Sequence, residues 1–560
     1  MRSSCYPLVL FAFLCQSVRA DERFDVVIYG SGPAAITAAI EVGRAGKKAV
    51  VVSPESRIGG LTTGGLGQTD IGNKDAFGGL ALQFYRDISR YYRDERHWKW
   101  QRRSEYICDE KERADDAISG SMWTFEPSAA LAILEGWERD YRLDIRRGER
   151  LDRSQGGMRK RSGRIESFRT LSGTVYRGNV FVDATYEGDL MAAAGVPYSV
   201  GRESNAVYGE TLNGCQVAHA EYHQFMPRVS AYVRPGEPES GLLPGIEPLR
   251  DVCDGDGDRR VQAYCFRMCL TDDPRNRIPF SKPEGYDERD YELLFRNYEC
   301  GAEKEGLPWI NSRMPNRKTD TNNRTAFSTD FIGANWSWPE ASYEERERIL
   351  AEHLRYQRGL MWTLANHPRI PAGVRQEVSR WGTCRDEFQD GLGDGWQRQL
   401  YVREARRMVG EYVVTEHDCV GRRIAVRPVA MAAYAMDSHH VRRTVDSHGF
   451  VRNEGDVEIG VAKCYPLDYG AIVPKRSDCE NLIVPVCISA SHIAYGSIRM
   501  EPVFFALGQA AGAAAVQAVV AGCAVQDVSY ELLRKRLCAS GQVIEVESSK
   551  PADDAIGRSR

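Results

Sequence analysis

Three stretches of this chain hold residues whose types and spacing could do chemistry. The first is Gly30-Ser31-Gly32-Pro33-Ala34-Ala35. It follows an apolar strand expected over 25–29, opens an apolar run at helical spacing over 34–42 that stops at Gly46, and precedes a second strand at 49–52. A G-x-G-x-x-A turn in a strand–helix–strand context suits the diphosphate of a dinucleotide. Gly30 permits the sharp reversal, Gly32 lets phosphates approach the backbone, and Ala35 keeps helix and strand close. The free N–H groups and dipole at the helix start favour the anion. The second stretch is Gly59-Gly60-Leu61-Thr62-Thr63-Gly64-Gly65, within a run of five glycines over 57–67. Flexible linkers are Ser-rich and lack the embedded Ile58 and Leu61, so this run is expected to lay backbone against a ligand. The third is His492 to Glu501, where Arg499, Met500 and Glu501 lead into a charge-free segment at 503–520.

Glycines of this density straight after the second strand resemble those that flavoproteins of the glutathione-reductase type set against FAD, so FAD is the expected cofactor. The acid that normally ends the second strand to hold the ribose is missing. The strand closes Val52-Ser53-Pro54-Glu55, and either the Ser53 hydroxyl or the late Glu55 carboxylate could take the contact. Asp183-Ala184-Thr185, after an apolar strand at 179–182, is expected to bring the chain back to the cofactor. The start of the 503–520 helix, with Arg499, is placed to stabilise negative charge on a reduced flavin. Acid and imidazole side chains cluster at Glu416-His417-Asp418 and at Asp437-Ser438-His439-His440, which offers proton transfer or metal ligation, although for any one of them an ordinary surface histidine is the better reading. No metal is expected. There is no C-x-x-C, and the acidic run 253–258 fails the calcium-loop pattern at Arg259 and Cys265.

Elements must position these groups. With 560 residues, a net charge of −4 and 42% hydrophobic content, the chain reads as globular, with no general pull toward nucleic acid or anionic membrane. Residues 1–20 read as a secretory signal cut after Ala20, which implies export to a periplasmic or extracellular compartment. Removing it takes Cys5 and Cys15 from the 15 cysteines and leaves an odd number, in a setting that permits disulfides whose pairing the sequence does not give. The fold class is α/β: a glutathione-reductase-type FAD-binding Rossmann domain, a three-layer and mostly parallel sheet, with a large inserted α+β substrate or cap region. Its parts are 21–200 (FAD-binding, first part), 201–440 (insert), 441–545 (FAD-binding, C-terminal part) and 546–560 (disordered tail). Helices are expected at 75–103, 128–139, 343–366, 401–414 and 503–520. Strands over 143–150 and 164–175 are expected to pair in a small sheet, 482–486 is a last buried strand, and 488–502 is a loop. The apolar 503–520 segment is read as a buried helix, so no stable membrane insertion is expected.

The chain resembles a bacterial secreted FAD-dependent oxidoreductase family that often carries a "xanthan lyase"-like label, with a flavin module related to that of the HdrA component of heterodisulfide reductase. The segments that carry the resemblance are GSGPAA at Gly30, IGGLTTGGLGQTD at Ile58, DATYEGDLMAAAGVPYSVGRES at Asp183, KTDTNN at Lys318, FSTDFIG at Phe327, LYVREARRMVGEYVVTEHDC at Leu400, DSHH at Asp437 and HIAYGSIRMEP at His492. The resemblance implies FAD binding and a redox function. The iron–sulfur cysteines of that heterodisulfide reductase component are absent, and the lyase label is not adopted. The expected reaction is hydride transfer between flavin and a small polar, sugar-derived substrate, with His492 and His439 as candidate bases, Arg499 as the charge-stabilising group and an unidentified electron acceptor. A flavin-dependent lyase or isomerase and a non-catalytic carbohydrate-binding relative are the alternatives.

Overall fold

In the computed structural model, residues 22–106, 120–248 and 253–546 are described. The expected signal segment, Cys108 and the tail from residue 547 lie outside them. The first sheet is built from β1 (Arg23–Tyr29), β2 (Ala49–Val52), β3 (Ile145–Arg146), β4 (Met158–Arg161), β5 (Arg164–Arg169) and β6 (Val175–Asp183), in the order β3-β2-β1-β6-β5-β4. β1 pairs in parallel with β2 (Tyr29 opposite Val52) and with β6 (Tyr29 opposite Asp183). The chain therefore reverses its winding at the carboxyl end of β1, the crevice where open α/β sheets bind ligands. Val26, Val27, Ile28, Val50, Val51 and Val52 are fully buried, as a parallel sheet covered on both faces requires. A short strand at Leu482–Ile483 adds in parallel to the far half of β6.

Helix α1 (Pro33–Arg44) follows the first glycine turn, and α2 (Gly60–Thr63) is the short helix inside the second. The apolar helix Glu501–Ala521 is long and apolar enough to cross a membrane, and it packs against α1 with most of its residues buried in the core. The two helices touch backbone to backbone. A Cβ on Gly508 would come within 2.3 Å of the Ala34 carbonyl, and one on Gly512 within 2.5 Å of the Ala38 carbonyl. Thr37 Oγ1 donates to the Phe505 carbonyl at 2.9 Å.

The inserted region holds a five-stranded antiparallel sheet of β7 (Met268–Thr271), β8 (Arg277–Ile278), β9 (Trp309–Met314), β10 (Lys318–Asn323) and β11 (Gly382–Cys384), in the order β8-β11-β7-β10-β9. Helix α3 (Tyr343–Asn366) has the expected bounds, with Ser342 as its N-cap. Pairing crosses residue 440: strand Arg442–Val445 pairs with Ile246–Glu247, and Met436–Ser438 pairs with Val457–Ile459. One buried apolar cluster runs through both regions.

Several expected elements differ. Residues 401–414 form no helix. Leu400–Ala405 is irregular and buried, and Arg406–Met408 pairs as a strand with Tyr198–Val200. Arg403, Arg406 and Arg407, spaced like a solvated helical face, are each buried against carboxylates instead: Asp330, Asp189 and Glu203. The expected helix 75–103 is interrupted by Gly78 and Gly79 and runs only from Gly79 to Tyr91. Segments 143–150 and 164–175 do not pair as strands: β3 adds to β2, and β5 pairs with β4 and β6. Within the expected loop 488–502, Ser491 caps helix α4 (His492–Ile498).

Substituting Gly508→Val would force α1 and the 501–521 helix apart. Overpacking of this kind costs about 1–3 kcal/mol or more. Thermal unfolding of the variant is expected at a clearly lower midpoint than wild type, with FAD released earlier.

Candidate active site

The first glycine turn, the end of β2, the second glycine turn and the segment after β6 converge on one cleft. Ser31, Gly32, Pro54, Glu55, Gly60, Ala184 and Thr185 line one side; Trp338, Tyr343, Phe388 and Gln397–Leu400 of the insert line the other. Gly30 has φ 141°, and a Cβ there would stand 2.5 Å from the Ala184 carbonyl, so only glycine lets β1 turn beside β6. The two glycine turns are tied directly by a Gly59 N–H that donates to the Ser31 carbonyl at 2.6 Å. Gly32 caps α1 with no side-chain hydrogen bond, which leaves that helix start open to a diphosphate.

Of the two candidates at the end of β2, Glu55 lines the cleft, with Arg150 at 3.7 Å and Arg398 at 3.6 Å. Burial raises its pKa, against the pull of the two arginines. Ser53 is fully buried and its hydroxyl donates to the Glu55 carbonyl at 2.6 Å. Asp183 is occupied by its own turn: one oxygen accepts from the Thr185 amide and hydroxyl, the other from the Met191 amide at 2.8 Å. Burial brings its pKa up to about 6.

The second turn meets the far end of the sequence. Thr62 Oγ1 donates to Glu501 at 2.5 Å, Tyr186 Oη donates to the other Glu501 oxygen at 2.9 Å, and the Leu61 amide donates to Tyr186 Oη at 3.0 Å. Burial raises Glu501 to about 7 against these donors. Thr63 caps back onto the Ile58 carbonyl, and Gly64 and Gly65 press on Gln399 and the Arg267 carbonyl. Pro33, Ala34, Ala35 and Met500 are buried at the starts of α1 and of the 501–521 helix.

Beyond this junction lies a buried cluster of charged side chains around Tyr401, called the chamber below. Arg499 donates to Tyr401 Oη at 2.9 Å and pairs with Asp437 at 3.0 Å. The guanidinium carbons of Arg403, Arg267 and Arg499 stand 4.4, 5.6 and 5.7 Å from the Tyr401 ring centre. Arg267 is held by Asp320 at 2.6 Å and Arg403 by Asp330 at 3.0 Å. Nε of Arg403 and Nε of Arg499 are buried without a hydrogen-bond acceptor.

His439 belongs to this chamber. Its Nδ1 lies 2.7 Å from Asp330 and its Nε2 is 3.9 Å from Asp437, the carboxylate that also meets Arg499. Two of the expected catalytic residues thus meet through Asp437. Burial, then Arg403, lowers the His439 pKa against Asp330 and Asp437. Burial pushes the Asp330 pKa up, but Arg403 and His439 hold it well below the carboxylate range. Asp330 sits 109 positions from His439, and its place in FSTDFIG carried no sign of that pairing. His492 is nearby but fully engaged: Nδ1 is 2.7 Å from Glu404 and Nε2 is 3.1 Å from Ser438 Oγ. Burial raises the Glu404 pKa, but His492 and Arg407 bring it down to about 2. Elsewhere, His223, Asp456 and Glu458 stand within metal-ligand reach of one another. His223 Nδ1 accepts the Thr325 amide at 3.0 Å, which puts the ring proton on Nε2, facing Glu458 at 3.5 Å. With Nδ1 taken by that amide, the neutral ring keeps no lone pair for a metal.

A mostly parallel sheet that reverses at β1, an uncapped α1 start, a carboxylate just past the end of β2 and two interlocked glycine turns fit a flavin-nucleotide-binding α/β protein. The chain belongs to the FAD dependent oxidoreductase family, whose model matches residues 25–537. It is an FAD-dependent oxidoreductase, and the donor set of the cleft fits that cofactor. No curated protein matches the sequence. Among solved structures the chain is similar to a flavin-containing monooxygenase from Stenotrophomonas maltophilia (15% identity over 33% of this chain and 43% of that one, TM-score 0.19). It is also similar to an anhydrotetracycline hydroxylase from Streptomyces rimosus (13%, 36% and 41%, 0.22) and to an L-amino acid deaminase from Proteus vulgaris (16%, 32% and 53%, 0.21). The chain thus spans about half of each of these proteins or less.

Because Glu55 faces the cleft and Ser53 faces the protein, Glu55→Ala is expected to weaken FAD binding about 10- to 100-fold, the worth of a hydrogen bond to a charged group. Ser53→Ala is expected to change it far less. Titration of flavin fluorescence against apoprotein reads the difference.

Proposed function

We propose that this oxidoreductase acts on a small polar, sugar-derived alcohol or acid, with the Asp330–His439 pair as its base and the Tyr401 chamber as its substrate site. The Asp330–His439 contact carries this reading. A carboxylate on Nδ1 fixes the tautomer that leaves the Nε2 lone pair free, and a pKa below the ordinary imidazole value keeps the ring neutral at pH 7. Bound FAD supplies the two-electron acceptor or donor. His439 Nε2 takes the proton from a substrate hydroxyl as the carbon beside it is oxidised, and Asp330 balances the imidazolium that results. Arg499 and Arg403, each with an unpartnered buried N–H, hold an anionic group of the substrate and orient it. Tyr401, ringed by guanidinium groups, positions them. His492, with both ring nitrogens engaged, fixes Ser438 and hence the backbone that presents His439.

The electrons pass from flavin to an acceptor outside the chain, with oxygen, a quinone and a redox protein as the candidate classes. The apolar, lightly charged start of the sequence supports export, with the mature chain beginning at Asp21. N-terminal sequencing of protein recovered from an exporting host reads that assignment: a chain that retains Met1 or begins elsewhere refutes it.

A screen of sugars and sugar acids with a dye acceptor tests the substrate class; turnover without any acceptor would replace oxidation with a lyase or isomerase reaction. His439→Gln is expected to slow substrate-driven flavin reduction about 100- to 10,000-fold, and His492→Asn about tenfold or less. Rapid-mixing absorbance at the flavin band measures both. The base works only when neutral, so the rate falls as pH drops through the His439 pKa, and the acid limb is expected below the reference value of 6.5. Asp330 raises that pKa, so Asp330→Asn is expected to move the limb further down while lowering the plateau rate.

A further inference from the structure

We propose that Cys269 and Cys384 are a disulfide-forming pair, joined by exchange with a small-molecule or protein disulfide. They lie on neighbouring strands of the inserted sheet. β7 and β11 run antiparallel, with Gly382 opposite Thr271 and Thr383 opposite Leu270, so one step further places Cys384 opposite Cys269. Their sulfurs are 3.7 Å apart, although 115 positions separate them in sequence. Directly opposed residues of an antiparallel pair have Cα atoms about 4.5–5.5 Å apart, inside the span that disulfides bridge. Both side chains are fully buried, and with Met314 and Phe388 they form an apolar cluster of their own. No backbone has to move far to join them.

The chemistry balances as thiol–disulfide exchange. One cysteine thiolate attacks the oxidant's disulfide and releases one oxidant thiol. The second thiolate attacks the mixed disulfide and releases the other. Two protein thiols are oxidised and one small disulfide is reduced to two thiols. Burial, then the hydrogen bond shared with Cys384, raises the Cys269 pKa well above its ordinary value, so exchange takes place while the strands are open and the closed sheet then shields the bond.

The bridge would tie the strand next to the Tyr401 cluster to the strand that leads to the buried Lys318 cluster. β7 begins one residue after Arg267, which lies against Tyr401. β11 leads to Asp386 and Glu387, which hold the buried Lys318 ammonium at 2.9 and 2.7 Å. The inference stands apart from the substrate assignment, since it needs only strand register and an oxidant.

The test uses the full-length holoenzyme, equilibrated with oxidised and reduced glutathione in denaturant kept below the unfolding transition, and in parallel with dithiothreitol. Samples are alkylated with iodoacetamide in full denaturant, digested and weighed by mass spectrometry. The expected result is that the peptides holding Cys269 and Cys384 emerge joined, lighter by two hydrogens than the two thiol peptides, and separate after dithiothreitol. The oxidised holoenzyme is expected to melt several degrees above the reduced one, a difference absent in the Cys269→Ala/Cys384→Ala double variant. Full alkylation of both cysteines in the oxidised sample, or either one linked to a different cysteine, would overturn the inference.

Discussion

The closeness of α1 to the 501–521 helix is the constraint on which the site depends. Gly508 and Gly512 remove the side chains that would separate the two backbones, and Ala34 and Ala38 answer with the smallest possible partners. Helices at this range bury their facing stripes almost completely, and with Gly508 opposite Ala34 the second helix begins about two turns ahead of the first. One start is the open N-terminus after the first glycine turn. The other is Glu501, which gathers Thr62 and Tyr186 from the second turn and the segment after β6. Residues hundreds of positions apart are thereby held around a single crevice, so packing and cofactor binding are one problem here.

The chamber next to that crevice is built on charge. Buried guanidinium groups are costly unless paired, and here each has a carboxylate: Asp320 for Arg267, Asp330 for Arg403, Asp437 for Arg499, Glu203 and Glu404 for Arg407. Pairing fixes the direction of every side chain, and the unpartnered Nε atoms of Arg403 and Arg499 are what the pairing leaves over. Such a charged interior comes at some expense of stability, since apolar residues of the same volume would hold the insert together as well or better.

The opening strand–helix–strand unit was legible in the sequence to within a few residues, because its pattern is local: apolar alternation, a glycine turn and a stop at Gly46. The 24-residue helix α3 was legible for the same reason. Four things were not. Arg403, Arg406 and Arg407 mimic one face of a surface helix, and only distant carboxylates reveal that they are buried in irregular backbone and a short strand. Helix α4 was announced by Ser491 alone, a capping signal drowned by the small residues around it. The role of Asp330 depends on a contact across 109 positions, which no local pattern encodes. The choice between Ser53 and Glu55 likewise turned on which side chain faces the cleft, a matter of tertiary placement and not of residue type.

The central claim is that one FAD molecule is held jointly by the first glycine turn, the second glycine turn and the segment that ends at Glu501. Hydrogen–deuterium exchange of the apoprotein with and without added FAD tests this most directly. The account predicts that backbone amides in 30–36, 59–66 and 492–504 all slow together when FAD is added. Protection confined to one of these segments, or centred on the inserted sheet, would contradict it.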